Sequence, residues 1–270
     1  MKRHEGKVAI VTGSTTGIGR GIALRLAAEG SKVVINGRNA ERGAQVVEEI
    51  RQAGGEAIFL KADLGIESEV KALIDATVAK FGKVTTLVNN AAAIDAIQSD
   101  KPCAELDSEI FDRITKVQIY GCFWTAKYAL PVMIANGGGN IVNISSNGGY
   151  LGAPGIFGYS VTKSAMSGIT QSIAIDYGLQ GVRCNTLWLG YIREGAVGSA
   201  MFDDPVTGPI FAGLTSTGRV GTPAEVGSMI AYLTSDEASY VTGQQIHLDG
   251  GSGARLPAPH GLSTIPDSRD

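Results

Sequence analysis

Tyr159 and Lys163 are the residues of this chain best suited to acid/base chemistry. They stand at i and i+4, so on a helix they share one face. Reducing a ketone requires hydride at carbon and a proton for the alkoxide that develops on oxygen. A tyrosine hydroxyl can give that proton, but its ordinary pKa is about 10. Work near pH 7 asks for a fall of roughly three pH units, or about 4 kcal/mol. A nearby ammonium favours the phenolate and supplies much of this. Tyr-x-x-x-Lys alone is common on helix surfaces, so the pair needs a third group. Ser145 and Ser146, at the end of a strand-like run, both offer hydroxyls that can hold a substrate oxygen.

Far upstream, Thr12-Gly13-Ser14-Thr15-Thr16-Gly17-Ile18-Gly19 follows a short apolar run. Gly13 permits a tight turn. Gly17 and Gly19 let backbone approach a pyrophosphate at a helix start, where free N–H groups and the helix dipole favour anions. Thr15, Thr16 and Ile18 belong to the same cradle. The spacing G-x-x-x-G-x-G differs from the common G-x-G-x-x-G, yet it sits between a strand and an amphipathic helix, as a dinucleotide loop must. The next strand ends Ile35-Asn36-Gly37-Arg38-Asn39. It lacks the acidic residue that takes a ribose 2′-hydroxyl in NAD sites. Arg38 can instead pair with a 2′-phosphate, so NADP is expected over NAD. Asp63 and Leu64 follow the third strand, where Asp63 can accept from the adenine amine or cap the next helix.

These residues need elements to hold them, and the chain alternates strand and helix nearly throughout. Lys7–Val11, Lys32–Ile35, Ala57–Leu60, Val84–Val88, Asn140–Ser145, Val182–Leu187 and Gln245–Leu248 read as strands. Helices are expected over Gly17–Glu29 (stopped by Gly30), from an Asn39 cap to Gly54-Gly55, and along Val70–Val78 toward Gly82. Three more are expected over Asp107–Ala135, Phe157–Tyr177 and Pro223–Leu233. Such alternation indicates an α/β fold, a Rossmann-type doubly wound parallel sheet with helices on both faces. One domain is expected over residues 1–251, with a lid over Gly190–Gly221, because a loop that long is usually functional. Residues 252–270 hold three of the nine prolines and form a tail, either disordered or wrapped on a neighbouring subunit.

Composition narrows the classes. The 270 residues include 37 glycines, about 14% against an average near 7%, which points to tight turns and close backbone approaches. With 44% hydrophobic and 18% charged residues the chain is not a disordered one. A net charge of −3 argues against nucleic acid as a partner. Cys103, Cys122 and Cys184 lie far apart, so neither a disulfide framework nor a zinc thiolate site is expected, and a reducing cytoplasm fits. His4, His247 and His260 are scattered; no metal and no Ser-His-Asp triad is expected, and His247 reads as structural. No apolar stretch approaches the ~20 residues of a membrane span, and Val8–Val11 is too short for a signal segment.

In this order, Thr12-Gly13-x-x-x-Gly17-Ile18-Gly19, Asn89-Asn90-Ala91-Ala92, Ser146 and Tyr159-x-x-x-Lys163 resemble the classical short-chain dehydrogenase/reductase family, over residues 6–251. The resemblance implies a single Rossmann-type domain, a nicotinamide cofactor and carbonyl/alcohol interconversion. It also favours Ser146 over Ser145 as the holder of the substrate oxygen, since Ser146 has the family's spacing to Tyr159. By the same resemblance Lys163 bonds the nicotinamide ribose, and Asn90, Ala91 and Ala92 line the cofactor ribose. Asn89 is then structural and bonds neighbouring strand backbone. Gly190 and Ile192 sit by the nicotinamide, Ile192 offering its backbone N–H.

Three positions depart from the family pattern. Gln118 stands where the family usually has an Asn that bends the long helix and holds a water in the proton relay to the lysine. Glutamine keeps the amide on one more methylene. Ala92 replaces a glycine. Leu189-Gly190-Tyr191-Ile192-Arg193-Glu194 replaces Pro-Gly-x-x-x-Thr, and an ionised Glu194 cannot donate the bond that the threonine gives the carboxamide.

Tyr150, Leu151, Phe157, Trp188, Tyr191, Met201 and Phe202 suggest a moderately apolar pocket for a cyclic or aromatic carbonyl compound. The helices Asp107–Ala135 and Phe157–Tyr177 are apolar on more than one face (Phe123, Trp124, Tyr128; Met166, Ile169, Ile173). A helix apolar all round must bury both sides, and with the family's habit this implies a homo-oligomer, a tetramer. The expectation is an NADP(H)-dependent ketone reductase or alcohol dehydrogenase with a small-molecule substrate, no nucleic acid and no membrane partner. A non-catalytic NADP-binding sensor or scaffold, and a 3-oxoacyl thioester reductase of the same family, are the alternatives. The intact Ser-Tyr-Lys set opposes the first. The second lacks a basic cluster for an acyl-carrier protein.

Overall fold

Seven parallel strands form one sheet, in the order β3-β2-β1-β4-β5-β6-β7, in the computed structural model, which describes residues 2–193 and 198–254. The strands are β1 Val8–Val11, β2 Lys32–Gly37, β3 Glu56–Lys61, β4 Thr86–Asn89, β5 Gly139–Ser146, β6 Val182–Leu189 and β7 Gln245–Leu248. The helices, in chain order, are α1 Gly17–Ala28, α2 Ala40–Gln52, α3 Glu67–Phe81, α4 Ile94–Ile97, α5 Ser108–Thr115, α6 Gly121–Ala135, α7 Asn147–Tyr150, α8 Phe157–Tyr177, α9 Gly198–Asp203, α10 Thr207–Gly213 and α11 Pro223–Leu233. The architecture is the expected doubly wound one. Strand order reverses between β1 and β4, and there, outside the carboxyl ends, such sheets bind their ligands.

Both faces of the sheet are buried, and alternate strand residues feed two cores. Ile10, Leu87 and Ile141 pack with Leu73, Leu130 and Met133 of the α3 and α6 layer and with Ile173 of α8. Val11, Val88 and Leu187 pack on the other side with Ile22, Leu26, Ile50 and Ile230 of α1, α2 and α11. Helix ends follow the chemistry of their residues. Asn39 accepts the Arg42 N–H at 2.9 Å, Gly82 closes α3 at φ 77°, and Thr222 and Glu225 form a capping box around Pro223.

The structure amends the sequence reading in three places. The helix expected over Asp107–Ala135 does start at an Asp107 cap, but one π-helical turn, Lys116–Tyr120, interrupts it around Gln118. The segment Gly190–Gly221 is not a patternless loop: α9 and α10 are too short for a periodic signal to rise above their glycines and proline. Ile173 packs in the chain's own core and Met166 is buried within the chain, so neither is left for a partner. The exposed large apolar residues on these helices are Tyr120, Phe123, Phe157, Val161 and Ile175. Glu194, His260 and the tail from residue 255 lie outside the described residues. Among the described residues the three cysteines are free, no group of acidic, histidine or cysteine side chains could hold a metal, and no helix is long and apolar enough to cross a membrane.

Candidate active site

The turn between β1 and α1 is built by backbone and braced by two side chains. Gly13 (φ 63°) and Gly17 (φ 55°) adopt the left-handed conformation that favours glycine. A methyl at Gly19 would lie 2.3 Å from Gly13 O and 2.8 Å from Ser14 Cα. Thr12 Oγ1 donates to Val88 O (3.2 Å) and accepts the N–H groups of Asn90 (2.9 Å) and Ala91 (3.1 Å). Asn90 Nδ2 donates to Thr12 O (2.9 Å) and Gly13 O (3.1 Å), so its amide braces the turn. Asn89 is structural, but its partners are the side chains of Asn143 (2.9 Å) and Thr125 (2.8 Å) rather than strand backbone.

This turn fits the diphosphate of a dinucleotide. Thr16 occupies the cap position of α1 yet makes no side-chain cap, which leaves the first-turn N–H groups for an anion. Thr15, Thr16 and Gly17 open onto a cavity of about 510 Å³ that Arg20, Arg42 and Arg193 also line. Ala91 and Ala92 follow β4 half-buried beside the turn.

Side chains build the rim at the end of β2. Arg38 is 52% exposed and donates to Asp95 Oδ2 at 3.0 Å. A methyl at Gly37 would lie 2.7 Å from Thr15 Cγ2, so Thr15 packs against the residue before Arg38. Asp63 takes both Arg113 Nη atoms (3.1 and 2.9 Å) and the Gly65 N–H (2.8 Å). It does not cap α3, whose cap position is Ile66. Burial works against ionised Asp63, but the Arg113 guanidinium and the Gly65 N–H hold it below the usual carboxylate range. Burial also opposes ionised Asp95, and Arg38 outweighs it. Leu64 is buried beside this pair. Asp95 and Arg113 escaped sequence reasoning, because each meets its partner about 50 or more residues away in sequence.

Ser146, Tyr159 and Lys163 meet at the carboxyl end of β5. Ser146 Oγ accepts the Gly148 N–H at 3.2 Å, which leaves its own proton to give. Ser145 is buried and donates to Lys163 O at 2.8 Å, so it is committed to backbone. A methyl at Gly148 would lie 3.5 Å from Ser146 Oγ and 3.6 Å from Tyr159 Cε1, so both side chains border one space. Lys163 Nζ lies 5.6 Å from the Tyr159 ring centroid and donates to Ile144 O at 2.8 Å. With Lys163 only 5% exposed, its charge acts in a medium that screens it poorly. Gln118, in the π turn, donates from Nε2 to Thr162 Oγ1 at 2.5 Å. Its Oε1 is buried without a hydrogen-bond partner, and Gln118 lines a cavity of about 10 Å³ together with Lys163 and Ala91. That is about the space of one water.

Two further anchors hold this site, and no motif announced them. Asn147 donates from Nδ2 to Asp249 Oδ2 at 2.9 Å, tying the residue after Ser146 to the turn after β7. Asp100, in the loop after α4, accepts the N–H groups of Gly158 (3.1 Å) and Tyr159 (2.8 Å).

The segment after β6 carries an aromatic trio. Tyr191 lies 5.2 Å from Phe211 and 6.5 Å from Phe202, and Phe202 lies 5.3 Å from Phe211. Met201 is exposed on α9, Leu151 is exposed after α7, and Phe157 packs on Phe111. Trp188 is not a pocket residue: it is buried on β6, beside the edge strand β7, against Tyr150 (5.9 Å) and His247 (6.0 Å). His247 is exposed and supports that cluster. A methyl at Gly190 would lie 2.7 Å from Asp249 Cα, so β6 can pass the β7 turn only with glycine. Ile192 is buried and bridges Gly221 through Tyr191 O and the Arg193 N–H (2.8 Å each). In such a bridge the Ile192 N–H points the other way, free to serve a ligand.

The chain is similar to known proteins over nearly its whole length. The sequence pattern of the family described as enoyl-(acyl carrier protein) reductase matches residues 13–253. Cyclohexanol dehydrogenase of an Acinetobacter strain is 36% identical over 248 residues, 92% of this chain and 95% of that protein. The 7α-hydroxysteroid dehydrogenase of Clostridium sardiniense is 36% identical over 257 residues, 95% of this chain and 97% of that protein. Among solved structures, a gluconate 5-dehydrogenase from Burkholderia cenocepacia, in complex with NADP and tartrate, superposes with a TM-score of 0.86 at 32% identity, covering 94% of this chain and 98% of that one.

Proposed function

The chain belongs to the short-chain dehydrogenase/reductase family, and from that membership we propose that it interconverts a ketone and a secondary alcohol with NADP(H), Tyr159 serving as acid/base. The observation that carries this reading is the shared space between Ser146 Oγ and the Tyr159 ring, with Lys163 Nζ 5.6 Å from that ring. When bound, the nicotinamide supplies or takes the hydride at the carbonyl carbon. Ser146 donates its free proton to the substrate oxygen and holds it toward Tyr159. The Tyr159 hydroxyl gives its proton to the alkoxide in reduction and takes one in oxidation. The Lys163 ammonium favours the phenolate and so brings that exchange toward neutral pH. The Gln118 carbonyl and the small cavity beside it are suited to a water that passes protons to Lys163, the role of the family's asparagine.

Three observations support NADP over NAD. No acid follows β2, Arg38 is half exposed at its end, and Arg42 adds positive charge to the cavity beyond Thr15. Residues 1–251 then form one catalytic domain with a lid over 190–221. The aromatic trio of that lid suits a cyclic small molecule, and the relatives named for cyclohexanol and a hydroxysteroid point the same way. Exposed Tyr120, Phe123, Val161 and Ile175 fit a homotetramer buried along α6 and α8. Sedimentation at micromolar concentration tests this, and a monomer would exclude it. The Cys122 and Cys184 thiols, each pushed up to about 12 by burial, suit a reducing compartment such as the cytoplasm.

Tyr159→Phe tests the mechanism. Oxidation of cyclohexanol and of hydroxysteroids with NADP⁺ should fall by roughly 10²–10⁴. Binding of NADPH, followed by fluorescence, should hardly change. Activity near that of the parent enzyme would defeat the mechanism.

A further inference from the structure

Asp100 reaches the amino end of α8 from a loop 58 residues away in sequence. Its Oδ1 accepts the Gly158 N–H at 3.1 Å and its Oδ2 accepts the Tyr159 N–H at 2.8 Å. The neighbouring Lys101 O accepts the Phe157 N–H at 3.4 Å, so loop residues 100 and 101 take three successive N–H groups of the helix start. Ile156, at the cap position itself, makes no side-chain cap. A tertiary carboxylate therefore does the work that a local Ser, Asp or Asn does elsewhere. It does so on the residue that bears the phenol.

We propose that Asp100 is a positioning residue for Tyr159: it fixes the helix turn that carries the phenol, and its charge opposes that of Lys163 in setting the pH at which the phenol ionises. This rests on Tyr159 being the acid/base. A helix start carries partial positive charge, which stabilises a phenolate near it, and the Lys163 ammonium acts in the same direction. A carboxylate at the helix start counters both and keeps the neutral hydroxyl available as a donor in reduction. Lys163, from α8 itself, lies 5.6 Å from the Tyr159 ring, and Asp100 and Lys101 bond the backbone of the helix start from the loop before α5. Gln118 comes from the π turn, Ser146 from the end of β5 and Asn147 from the start of α7, all neutral. Behind Asn147 stand Asp249 and, 3.4 Å from Asn147 Oδ1, His247. Asp249 is tied down by Asn147 and by the Gly251 and Gly253 N–H groups, whereas Asp100 bonds the backbone of Tyr159 directly.

The test is the titration of Tyr159 in the full-length protein saturated with NADP⁺, read by NMR of tyrosines carrying ¹³C at the ζ carbon. Among eight tyrosines, the signal lost in Tyr159→Phe is the one to follow. Asp100→Asn removes the charge and keeps an acceptor oxygen; Asp100→Ala removes both. In both variants the Tyr159 midpoint should fall by roughly half a pH unit to one. Cyclohexanol turnover should drop more in Asp100→Ala than in Asp100→Asn, which retains part of the clamp. A Tyr159 midpoint in Asp100→Asn equal to that of the parent protein overturns the proposal and leaves the acid/base assignment standing. A parent protein in which Tyr159 titrates like an ordinary tyrosine, with Tyr159→Phe still active, overturns the assignment itself and the proposal with it.

Discussion

Two neighbouring regions of the cofactor cleft are built by opposite means. The turn over residues 12–19 is made of backbone: two glycines at positive φ, a third with no room for a methyl, and an uncapped helix start. The rim at the end of β2 is made of side chains: Arg38, Asp95, Asp63 and Arg113 joined by ion pairs. The difference matches what each would read. A diphosphate is common to every nicotinamide dinucleotide, and N–H groups in a fixed turn suffice for it. The 2′-phosphate distinguishes NADP from NAD, and charged side chains can be exchanged without disturbing the fold.

A methyl added to the turn should therefore produce the largest effect and spare neither dinucleotide. Gly19→Ala places a carbon 2.3 Å from Gly13 O and 2.6 Å from Asn90 Nδ2. Neither can retreat freely, since Asn90 is tied to Thr12 and Gly13. Overpacking of this kind costs about 1–3 kcal/mol, and the turn that shifts is the one that binds. Affinity for NADPH and for NADH should fall together, by roughly a hundredfold, in calorimetric titration. A loss confined to one dinucleotide would break the division between a backbone-built and a side-chain-built region.

The same division explains what the sequence made legible. The glycine turn could be read in advance because its geometry is local: a strand, three glycines and an amphipathic helix stand in order along the chain. The pair Tyr159 and Lys163 was legible because a helix fixes the distance between i and i+4. Ser146 needed the family resemblance, and only the structure shows Ser145 spent on Lys163 O. Asp95, Arg113, Asp100 and Asp249 gave no signal, since each meets a partner about 50 or more residues distant. The bracing role of Asn90 was hidden for the same reason. Its place in the motif was clear, but the direction of its amide depends on how β1 and β4 lie together. Trp188 looked like a pocket aromatic until strand register put it opposite His247.

A smaller and more selective effect should follow at the rim. Arg38→Ala removes one guanidinium that is half exposed, so the fold should not suffer. It should weaken NADPH by roughly tenfold, the range of a charge-assisted bond, and leave NADH almost unchanged. The converse variant is Asp95→Asn. Asp95 holds Arg38 at 3.0 Å and would compete with a 2′-phosphate for it. Releasing Arg38 should tighten NADPH by at most about fivefold, because an exposed ion pair is worth no more than about 1 kcal/mol. The rise should shrink as salt is added, since screening weakens the pair and the phosphate contact alike. Equal losses of NADPH and NADH in Arg38→Ala would mean that the arginine shapes the adenine end and does not read the phosphate. Selectivity would then lie deeper in the cleft, with Arg42 beyond Thr15 as the next residue to change.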